Sequence, residues 1–519
     1  MDLAIKTDAS RWALVVVFFG SVALAMLPAP MLMIVAGMAV AAGWLFCRWD
    51  RVAALWQRVE VIWPLLLVLF AFFYFPYSSV DPQLRARGDY FTIYSRFIAG
   101  LSIWEMILIL GFAILFWRKW RTGDLNLWLG SWSGIPLYLV LFAIAAANGL
   151  LHVDGGLLGY GPTELGRVII AAIPFAYFLA VFLLVVNTVQ TAEQAQQAIR
   201  WLDRFVLGLV IYGVIRFVLI LSGHLETMTP FGLPIVLYDQ MNLLYIPIFV
   251  IVARILMGER LAIRNWLYLA VMLFFILCST RRFNYVFLAL GVVMVILIGI
   301  ASQSWKSKAV TKFTMRVGLS VGVIFLALII TLPGFVKGVT EAMQSIDMLS
   351  KIGQQHGGNI RSAQLDNLFS NLQARPYAYL VGFGLGTKWQ AIEQQPMNSM
   401  AFPEAYIRQS KGWYPQFHLP YLSLLYRFGI LGVSFLLIWV IFYLKSFLKK
   451  IPRIHFSQRP FYIGALGFLA IALPTIGDSP NPVMPIICGI HMGLLERLTA
   501  ADTHQAQATA RYDAQHHSP

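Results

Sequence analysis

The sequence predicts an all-α, polytopic membrane protein with about fourteen (twelve to fourteen) transmembrane helices and one large, partly helical loop outside the cytoplasm. Three observations predict this class. Of the 519 residues, 59% are hydrophobic and only 12% are charged, whereas soluble domains carry about 25% charged residues. Apolar stretches of membrane-spanning length recur along the chain, and basic residues cluster in the short segments between them.

The candidate spans follow from the need for roughly 20 mostly apolar residues, with about 17 to 25 as the usual range. In chain order they are 12–28, 30–47, 61–77, 98–117, 132–149, 165–186, 204–222, 234–252, 264–279, 284–301, 317–333, 419–442, 460–475 and 483–497. The first stretch ends at Pro28-Ala29-Pro30 and runs directly into the second. We therefore predict a membrane hairpin there and no cleavable leader.

Basic residues in every second connection predict the topology. With the N-terminus in the cytoplasm, these connections all lie on the cytoplasmic side, as the positive-inside rule requires. They contain Arg48, Arg51 and Arg58; Arg118, Lys119 and Arg121; Arg200 and Arg204; Arg254, Arg260 and Arg264; Lys306, Lys308, Lys312 and Arg316; and Lys445, Lys449, Lys450, Arg453 and Arg459. Both termini are therefore predicted to be cytoplasmic. The net charge of +15 reflects this topology and does not indicate nucleic-acid binding.

One connection on the opposite side is long and runs from about Gly334 to His418. It exceeds the roughly 60-residue range over which loop charges control orientation, so its basic residues do not count against the topology. The chain accordingly divides into an N-terminal transmembrane bundle, a periplasmic loop domain, the C-terminal transmembrane helices and a polar cytoplasmic tail expected to be disordered. Their boundaries are 1–333, 334–418, 419–497 and 498–519.

The long loop contains two helical candidates and a glycine-rich stretch. Thr340–Ile352 has amphipathic spacing, and Asn359–Ala374 carries regularly spaced apolar residues. The stretch Gly382-Phe383-Gly384-Leu385-Gly386 is expected to be flexible. It does not link a strand to a helix, as a dinucleotide-binding loop would. A plain tight turn is favoured over a backbone nest that binds anions.

The three cysteines do not form a ligand pattern. Cys47, Cys278 and Cys488 lie far apart in apolar runs. We therefore predict buried thiols without a disulfide framework, and no metal ion or other cofactor.

Arginines near the outer helix ends are the first candidates for a binding site. Ser279-Thr280-Arg281-Arg282 ends a span at the outer boundary, where adjacent positive charges are disfavoured. Snorkelling towards lipid phosphates would explain them. We favour binding of an anionic substrate, since guanidinium groups match phosphate oxygens bidentately. Arg216 lies inside a span, and a functional role and snorkelling are equally open for it.

Further polar residues lie on the same predicted side. Asp239, Gln240 and Asn242 open the next span; pairing with Arg216 is slightly favoured over lining the floor of a cavity. In the loop, Arg361 opens a helical candidate, and His418 closes the loop. A histidine at a membrane–water boundary can act as a general base, although most lone histidines are structural.

Three segments carry a family resemblance, together with Asn242 on an earlier span. They are Cys278-Ser279-Thr280-Arg281-Arg282-Phe283-Asn284; Asn359-Ile360-Arg361, followed by a helix and Gly382-Phe383-Gly384-Leu385-Gly386; and His418-Leu419-Pro420-Tyr421-Leu422, followed by Arg427-Phe428-Gly429-Ile430-Leu431-Gly432. In order, spacing and sidedness they resemble the motifs of the O-antigen ligase and polymerase superfamily of bacterial membrane glycosyltransferases. The chain departs from that pattern after His418, where the family commonly has Asn, and in its number of spans, which exceeds the family's usual dozen.

The resemblance implies a GT-C-like fold in the bacterial inner membrane and a metal-independent transfer on the periplasmic face. The donor would be a glycan on undecaprenyl diphosphate. His418 would be the catalytic residue, which activates the acceptor hydroxyl. The diphosphate would be held by Arg361 and by one of Arg281 and Arg282, with Asn242, Gly384 and Tyr421 in support. Arg216 is a further candidate for diphosphate binding, because of its position inside a span.

The leading expectation is a polysaccharide or O-antigen polymerase, which moves a growing chain onto a new lipid-linked repeat unit. The close alternative is an O-antigen ligase, whose acceptor is lipid A-core. A lipid-linked oligosaccharide flippase or other transporter belongs to a different class. It would be expected to carry midplane charges and matched halves, which this sequence largely lacks. Membrane lipids and a chain-length regulator are further candidate partners.

Overall fold

The computed structural model describes residues 103–123, 127–130, 134–151, 165–224, 236–237, 239–279, 282–302, 359–390, 413–414, 420–476 and 483–516. Within these residues the fold is helical apart from one small ribbon. The helices are α1 (Ile103–Thr122), α2 (Ile135–Leu150), α3 (Leu165–Thr188), α4 (Ala192–Leu221), α5 (Tyr245–Leu256), α6 (Ile263–Cys278), α7 (Arg282–Ala301), α8 (Asn359–Ala374), α9 (Tyr377–Val381), α10 (Pro420–Leu448), α11 (Arg459–Ala472) and α12 (Val483–His516). The ribbon pairs β1 (Trp389–Gln390) with β2 (Trp413–Tyr414) in antiparallel register.

Several described helices are long and apolar enough to cross a membrane. They are Ala171–Thr188, Ala192–Leu221, Asn284–Ala301, Leu422–Leu448 and Phe456–Thr475. Large aliphatic side chains remain exposed on their surfaces, such as Ile211 and Ile441, as expected of helix faces that contact lipid. The chain is therefore a membrane protein.

Many sequence-based expectations fall within the described residues. The loop helix predicted at Asn359–Ala374 is confirmed with the same bounds. Cys278 and Cys488 are buried free thiols, as predicted. The spans predicted at 12–28, 30–47, 61–77 and 317–333, the helical candidate Thr340–Ile352 and Cys47 lie outside the described residues.

The predicted span 234–252 begins later than expected. The segment Asp239–Leu243 is a 3-10 turn, and α5 starts only at Tyr245. Pro247 explains the difference, because an α-helix that ran through residue 243 would bring the proline ring against the carbonyl of that residue. In the first turn of α5, the missing N–H of Pro247 costs no hydrogen bond.

Two other helices are longer than predicted. α4 starts at Ala192 rather than 204, because Thr191 and Gln194 form a capping box with reciprocal side-chain to backbone hydrogen bonds of 3.2 Å. α12 continues to His516 and runs through the tail that was expected to be disordered. That tail is polar but rich in alanine and glutamine, which are good helix formers.

Contacts between helices define the two ends of the bundle. α2 and α10 are antiparallel, since Gly134 packs on the Trp439 indole while Leu141, two turns later in α2, packs on Gly432, two turns earlier in α10. Gly149, near the end of α2, packs on Leu385. We call the end that contains residues 382–386 the Gly-turn end. The opposite end contains Arg497, whose Nε donates to Val186 O at 2.6 Å, and we call it the Arg497 end.

The remaining helix directions follow from the same contacts. Gly489 and Gly493 of α12 pack on successive turns of α3, so these two helices are parallel and start at the Gly-turn end. α4 follows α3 after a short turn and packs against α12, so it runs from the Arg497 end towards the Gly-turn end. Gly213 packs on Phe275 and Phe217 on Phe274, which places the last turns of α4 and α6 side by side. Both helices therefore end at the Gly-turn end.

Candidate functional site

The glycine-rich segment Gly382–Gly386, here the Gly turn, is buried between two membrane helices. Gly382, Gly384 and Gly386 have φ angles of 72°, 85° and 78°. These angles lie in the left-handed region, which residues with a Cβ atom adopt only at a cost. All five residues of the turn are buried, so the expectation of a flexible stretch was wrong.

On one side the Gly turn fits into a break in α10. Gly429 has φ 62° and ψ −175°, which interrupts the helix. The carbonyls just before such a break lack their usual helical donors. Tyr426 O accepts from the N–H of Phe383 at 2.8 Å, and Arg427 O accepts from the N–H of Gly384 at 2.9 Å. The turn therefore supplies the donors that the broken helix lacks.

On the other side the Gly turn packs on the last turns of α2. Leu385 N–H donates to Ala145 O at 3.0 Å. The side-chain Nδ2 of Asn148 donates to Gly382 O at 2.8 Å and to Val381 O at 3.3 Å. A Cβ atom on Gly149 would overlap the backbone of Leu385, and one on Gly384 would overlap the backbone of Gly149. The close contact between the Gly turn and α2 therefore requires glycine at both position 149 and position 384.

The hydrogen bonds of the Gly turn show whether it is a plain tight turn or a backbone nest that binds anions. An anion-binding nest needs successive backbone N–H groups that point at the ligand. Here the N–H groups of Phe383, Gly384 and Leu385 all donate to protein carbonyls. The turn is a packing element, and the N–H of Gly384 holds the turn to α10 and is not available to bind phosphate.

An apolar cluster joins the loop helix α8 to the first part of α10. Its side chains come from α8, α9, the Gly turn and α10, and Phe383 stacks on Tyr426 with ring centroids 4.6 Å apart. Fully burying one leucine contributes about 1.5–3 kcal/mol, so Leu368 and Leu372 stabilise the contact between α8 and the rest of the cluster. The fully buried members are Leu368, Leu372, Ala378, Phe383 and Tyr426.

Two tyrosines complete this assembly. The Tyr426 hydroxyl donates to Lys388 O at 2.8 Å. Tyr377 packs edge-on against Phe383, and burial raises the pKa of its phenol, an effect that Arg375 partly offsets. Tyr377 is therefore a neutral hydroxyl at physiological pH and does not supply a general base.

The cluster brings together the helices that carry two of the motif segments. Arg361 lies in the first turn of α8, and Tyr421 is the second residue of α10; the structure describes the backbone of both. Seven residues make nearly two helical turns, so position 361 lies on the same side of α8 as Leu368. His418 lies outside the described residues, two residues before the start of α10.

The Ser-Arg segment connects the end of α6 to the start of α7. Ser279 Oγ donates to Ile276 O at 2.6 Å and accepts from Asn284 Nδ2 at 3.0 Å. Both residues are buried, so the hydrogen bond between Ser279 and Asn284 ties the end of α6 to the first turn of α7. Arg282 is the first residue of α7, and its backbone is described; Arg281 lies outside the described residues.

Asn242 lies in a 3-10 turn beside this connection. Its neighbour Met241 contacts Asn284, with 3.8 Å between Sδ and Nδ2, and the hydroxyl of Tyr245 donates to Asn284 O at 3.4 Å. Asn242 is itself half-buried. The 3-10 turn that carries Asn242 therefore lies beside the first turn of α7.

Arg216 lies near the end of α4, one turn after the glycine that packs on Phe275. Its side chain is only 6% exposed. A snorkelling arginine would extend along the lipid-facing surface, so burial counts against that explanation. Arg216 is on the protein side of α4, close to the end of α6 that leads into the Ser-Arg segment.

One residue that sequence reasoning missed belongs to this region. Asn148 is a polar, buried residue in an otherwise apolar span. Arg427, which the third motif segment contains, is buried at the break in α10. Polar residues inside spans are costly and usually have a role. That rule singled out Arg216 and would also have found Asn148.

Within the described residues, no group of three or more His, Cys, Asp or Glu side chains is arranged to hold a metal ion. Comparison with known proteins adds no assignment: no protein-family model, curated protein or solved structure matches the chain. The functional interpretation therefore depends on the residues at the Gly-turn end.

Proposed function

We propose that the protein is a polysaccharide or O-antigen polymerase of the bacterial inner membrane, which transfers a glycan from undecaprenyl diphosphate to a lipid-linked repeat unit. One observation carries the proposal. Helix ends that carry candidate site residues lie at the same end of the bundle: the end of α4 with Arg216, the start of α7 with Arg282, and α8 and α10 around the Gly turn. The proposal includes about fourteen spans, cytoplasmic termini and a periplasmic Gly-turn end.

In the proposed reaction, one glycosidic bond forms as one bond to the diphosphate breaks. The acceptor hydroxyl attacks C1 of the donor sugar, and a new glycosidic C–O bond forms as the bond from C1 to the diphosphate oxygen breaks. Undecaprenyl diphosphate leaves with the bonding electron pair, and the hydroxyl proton passes to the imidazole of His418. Arg361, Arg216 and one of Arg281 and Arg282 stabilise the charge that develops on the leaving diphosphate.

The location of the arginines fits this substrate. A lipid diphosphate keeps its hydrocarbon chain in the bilayer, so its phosphates lie at the level of the helix ends. Guanidinium groups at that level can form bidentate hydrogen bonds with phosphate oxygens and supply positive charge without a metal ion. Burial of Arg216 lowers the local dielectric constant and strengthens its interaction with an anion.

An assay of the purified protein tests the proposal. Lipid-linked repeat units alone should be converted into longer lipid-linked chains. Extension only after addition of lipid A-core would identify a ligase. The absence of any transfer, together with movement of lipid-linked oligosaccharide across vesicle membranes, would identify a flippase and reject the proposal.

Variants of the proposed site are expected to abolish extension without loss of membrane insertion. His418→Ala removes the base, and Arg361→Ala removes charge stabilisation; each should lower the rate by on the order of 10²–10⁴. Single repeat units should then accumulate in cells. Arg281→Lys should also be damaging if Arg281 contacts the substrate, because an ammonium group lacks the bidentate fork.

Matched controls are available in the same region. Arg375 is exposed just beyond the end of α8, and His224 is exposed just beyond the end of α4. Arg375→Ala and His224→Ala should leave the polymer length distribution normal. A normal distribution in both His418→Ala and Arg361→Ala would exclude the proposed site.

A further inference from the structure

We infer that Asn148 is a positioning residue for the proposed active site, which it serves by holding the Gly turn between α2 and α10. The inference rests on the function proposed above. Asn148 lies outside every segment that carries the family resemblance, so its role follows from the geometry alone.

The amide of Asn148 joins α2 to the end of α9. Asn148 is 9% exposed, and its Nδ2 donates to the carbonyls of Val381 and Gly382, 3.3 and 2.8 Å away. Carbonyls at the end of a helix lack intrahelical donors, and a primary amide carries two hydrogens that can serve two such acceptors. Alanine at this position would leave both carbonyls without this donor.

Small movements of the Gly turn are amplified along α8. α8 leads to α9 through Arg375 and Pro376, so the turn anchors one end of α8 while Arg361 lies at the other. A 16-residue helix is about 24 Å long. A tilt of about 3° at the anchored end would displace the far end by about 1 Å, and a displacement of that size can reduce turnover by about 10²-fold.

Loss of the Asn148 amide should loosen this joint without dismantling it. The backbone hydrogen bonds from Phe383, Gly384 and Leu385 do not involve the side chain. The apolar cluster around Phe383 also remains. Asn148→Ala is therefore expected to fold and to bind the substrate, but to hold Arg361 less accurately.

A second asparagine provides a matched control for the loss of a buried amide. At the Arg497 end, Asn187 Nδ2 donates to Trp128 O at 2.9 Å and to Leu183 O at 2.8 Å. Asn187→Ala removes a buried amide far from the proposed site, together with the acceptor of the Trp128 N–H at 2.8 Å. It should cost at least as much stability as Asn148→Ala, so a lower kcat in Asn148→Ala alone reflects positioning and not folding.

The kinetic experiment measures kcat and KM of the purified protein with lipid-linked repeat units. Asn148→Ala should lower kcat by about 10- to 100-fold and change KM less than about twofold, as expected when only the transition state loses stabilisation. Asn187→Ala should leave kcat unchanged. Equal loss of kcat in both variants, or none in Asn148→Ala, would overturn the inference.

A covalent tether tests the same joint without substrate. Leu380 and Ile430 are 55% and 51% exposed, and the Leu380 carbonyl contacts Gly429, which keeps the two positions within about 10 Å. In a background without native cysteines, Leu380→Cys and Ile430→Cys should be linked rapidly by a short bismaleimide. Asn148→Ala should slow this linkage, and an equal rate with and without Asn148 would contradict its role.

The same cross-link shows whether the Gly turn must stay fixed between α2 and α10 during the reaction or must move. In the presence of Asn148 the linked protein should keep its activity, and in Asn148→Ala the link should restore most of the lost kcat. Loss of activity on linkage in the parent would show that the turn must move and would overturn the inference. If the parent transfers no glycan at all, the proposed function fails, whereas the linkage rates still decide whether Asn148 holds the turn.

Discussion

Gly384 shows how one residue without a side chain sets the distance between helices. It combines a left-handed backbone, φ 85°, with backbone contact to Gly149. Neither requirement alone would explain why the turn approaches α2 so closely. Together they leave no residue other than glycine that fits both the conformation and the space.

Gly384→Ala should therefore be far more damaging than replacement of an ordinary left-handed glycine. Gly223 is the matched control, because it has φ 74° but open space around the position of a Cβ atom. Gly223→Ala should cost about 1–2 kcal/mol of unfolding free energy. Gly384→Ala should cost roughly 3 kcal/mol or more, since overlap with the backbone adds to the strain. Thermal unfolding in detergent measures the loss of stability in both variants. Equal losses would contradict a role for the close contact between Gly384 and Gly149.

Two arginines at the Gly-turn end lie in protein and not at the lipid surface. Arg216 and Arg427 are 6% and 7% exposed. A charge at the centre of a membrane helix costs about 2.5–3.5 kcal/mol on insertion scales, so each must gain interactions that offset this cost. For Arg216, which lies at the Gly-turn end beside α6, the proposed diphosphate would be one source of such interactions.

α10 consists of two helical segments that meet at Gly429. The first segment packs on the loop helix α8, and the second forms the membrane-spanning part that contacts α2 through Trp439. Because of the break, the first segment of α10 packs on α8 while the second packs on α2. The carbonyls just before the break lack helical donors, and the Gly turn packs there because its N–H groups donate to them.

The connection that precedes α2 is held at the Arg497 end by side chains of two other helices. The amide of Asn187 on α3 pairs with both the N–H and the C=O of Trp128, at 2.8 and 2.9 Å. The guanidinium group of Arg497 on α12 lies 4.0 Å from the centroid of the Trp128 ring. One tryptophan therefore links α3 and α12 to the start of α2.

The stacking of Arg497 on Trp128 should be measurable as a coupling energy. A double-mutant cycle with Arg497→Gln and Trp128→Leu should give about 0.5–2 kcal/mol, in the range of partly desolvated cation–π pairs. The control is Arg204 over Trp201, where the guanidinium is exposed and 5.1 Å from the ring centroid. The same exchanges there should give at most about 0.5–1 kcal/mol. Denaturant unfolding in detergent provides the energies, and equal coupling at both sites would contradict the role of burial.

At the scale of the whole molecule, the described helices are arranged so that the motif segments share one end. α2, α4 and α6 end there, and α3, α10 and α12 start there. A shared end is what a site for a membrane-borne substrate requires, because its headgroup occupies a narrow layer at the bilayer surface. The side of the membrane on which this end lies is part of the proposal.

Thiol labelling in intact cells tests that sidedness. Ser222 and Ser457 are exposed serines at the Gly-turn end and the Arg497 end, and cysteine is nearly isosteric with serine. In a background without native cysteines, Ser222→Cys should react with a membrane-impermeant maleimide from the periplasm. Ser457→Cys should react only after the inner membrane is permeabilised. The reverse pattern would place the proposed site in the cytoplasm and reject the proposed function.

Local patterns were sufficient for several features of this protein. The bounds of α8, the helical class and the burial of Cys278 and Cys488 all follow from the spacing and composition of neighbouring residues. Such features depend on side chains a few positions apart, which a sequence displays directly. The start of α5 was missed although Pro247 was visible, because the apolar run outweighed a local rule that should have limited it.

Only the tertiary structure decided what the Gly turn does. Its glycines are compatible in sequence with a flexible stretch, a tight turn or an anion nest, and the sequence favours the tight turn over the nest without excluding either. The carbonyls of Tyr426 and Arg427 and the amide of Asn148, which lies 234 positions from Gly382, determine the outcome. A hydrogen bond between such distant residues leaves no periodic trace in a single sequence, since nothing local distinguishes a donor that will meet a carbonyl from one that will meet a ligand.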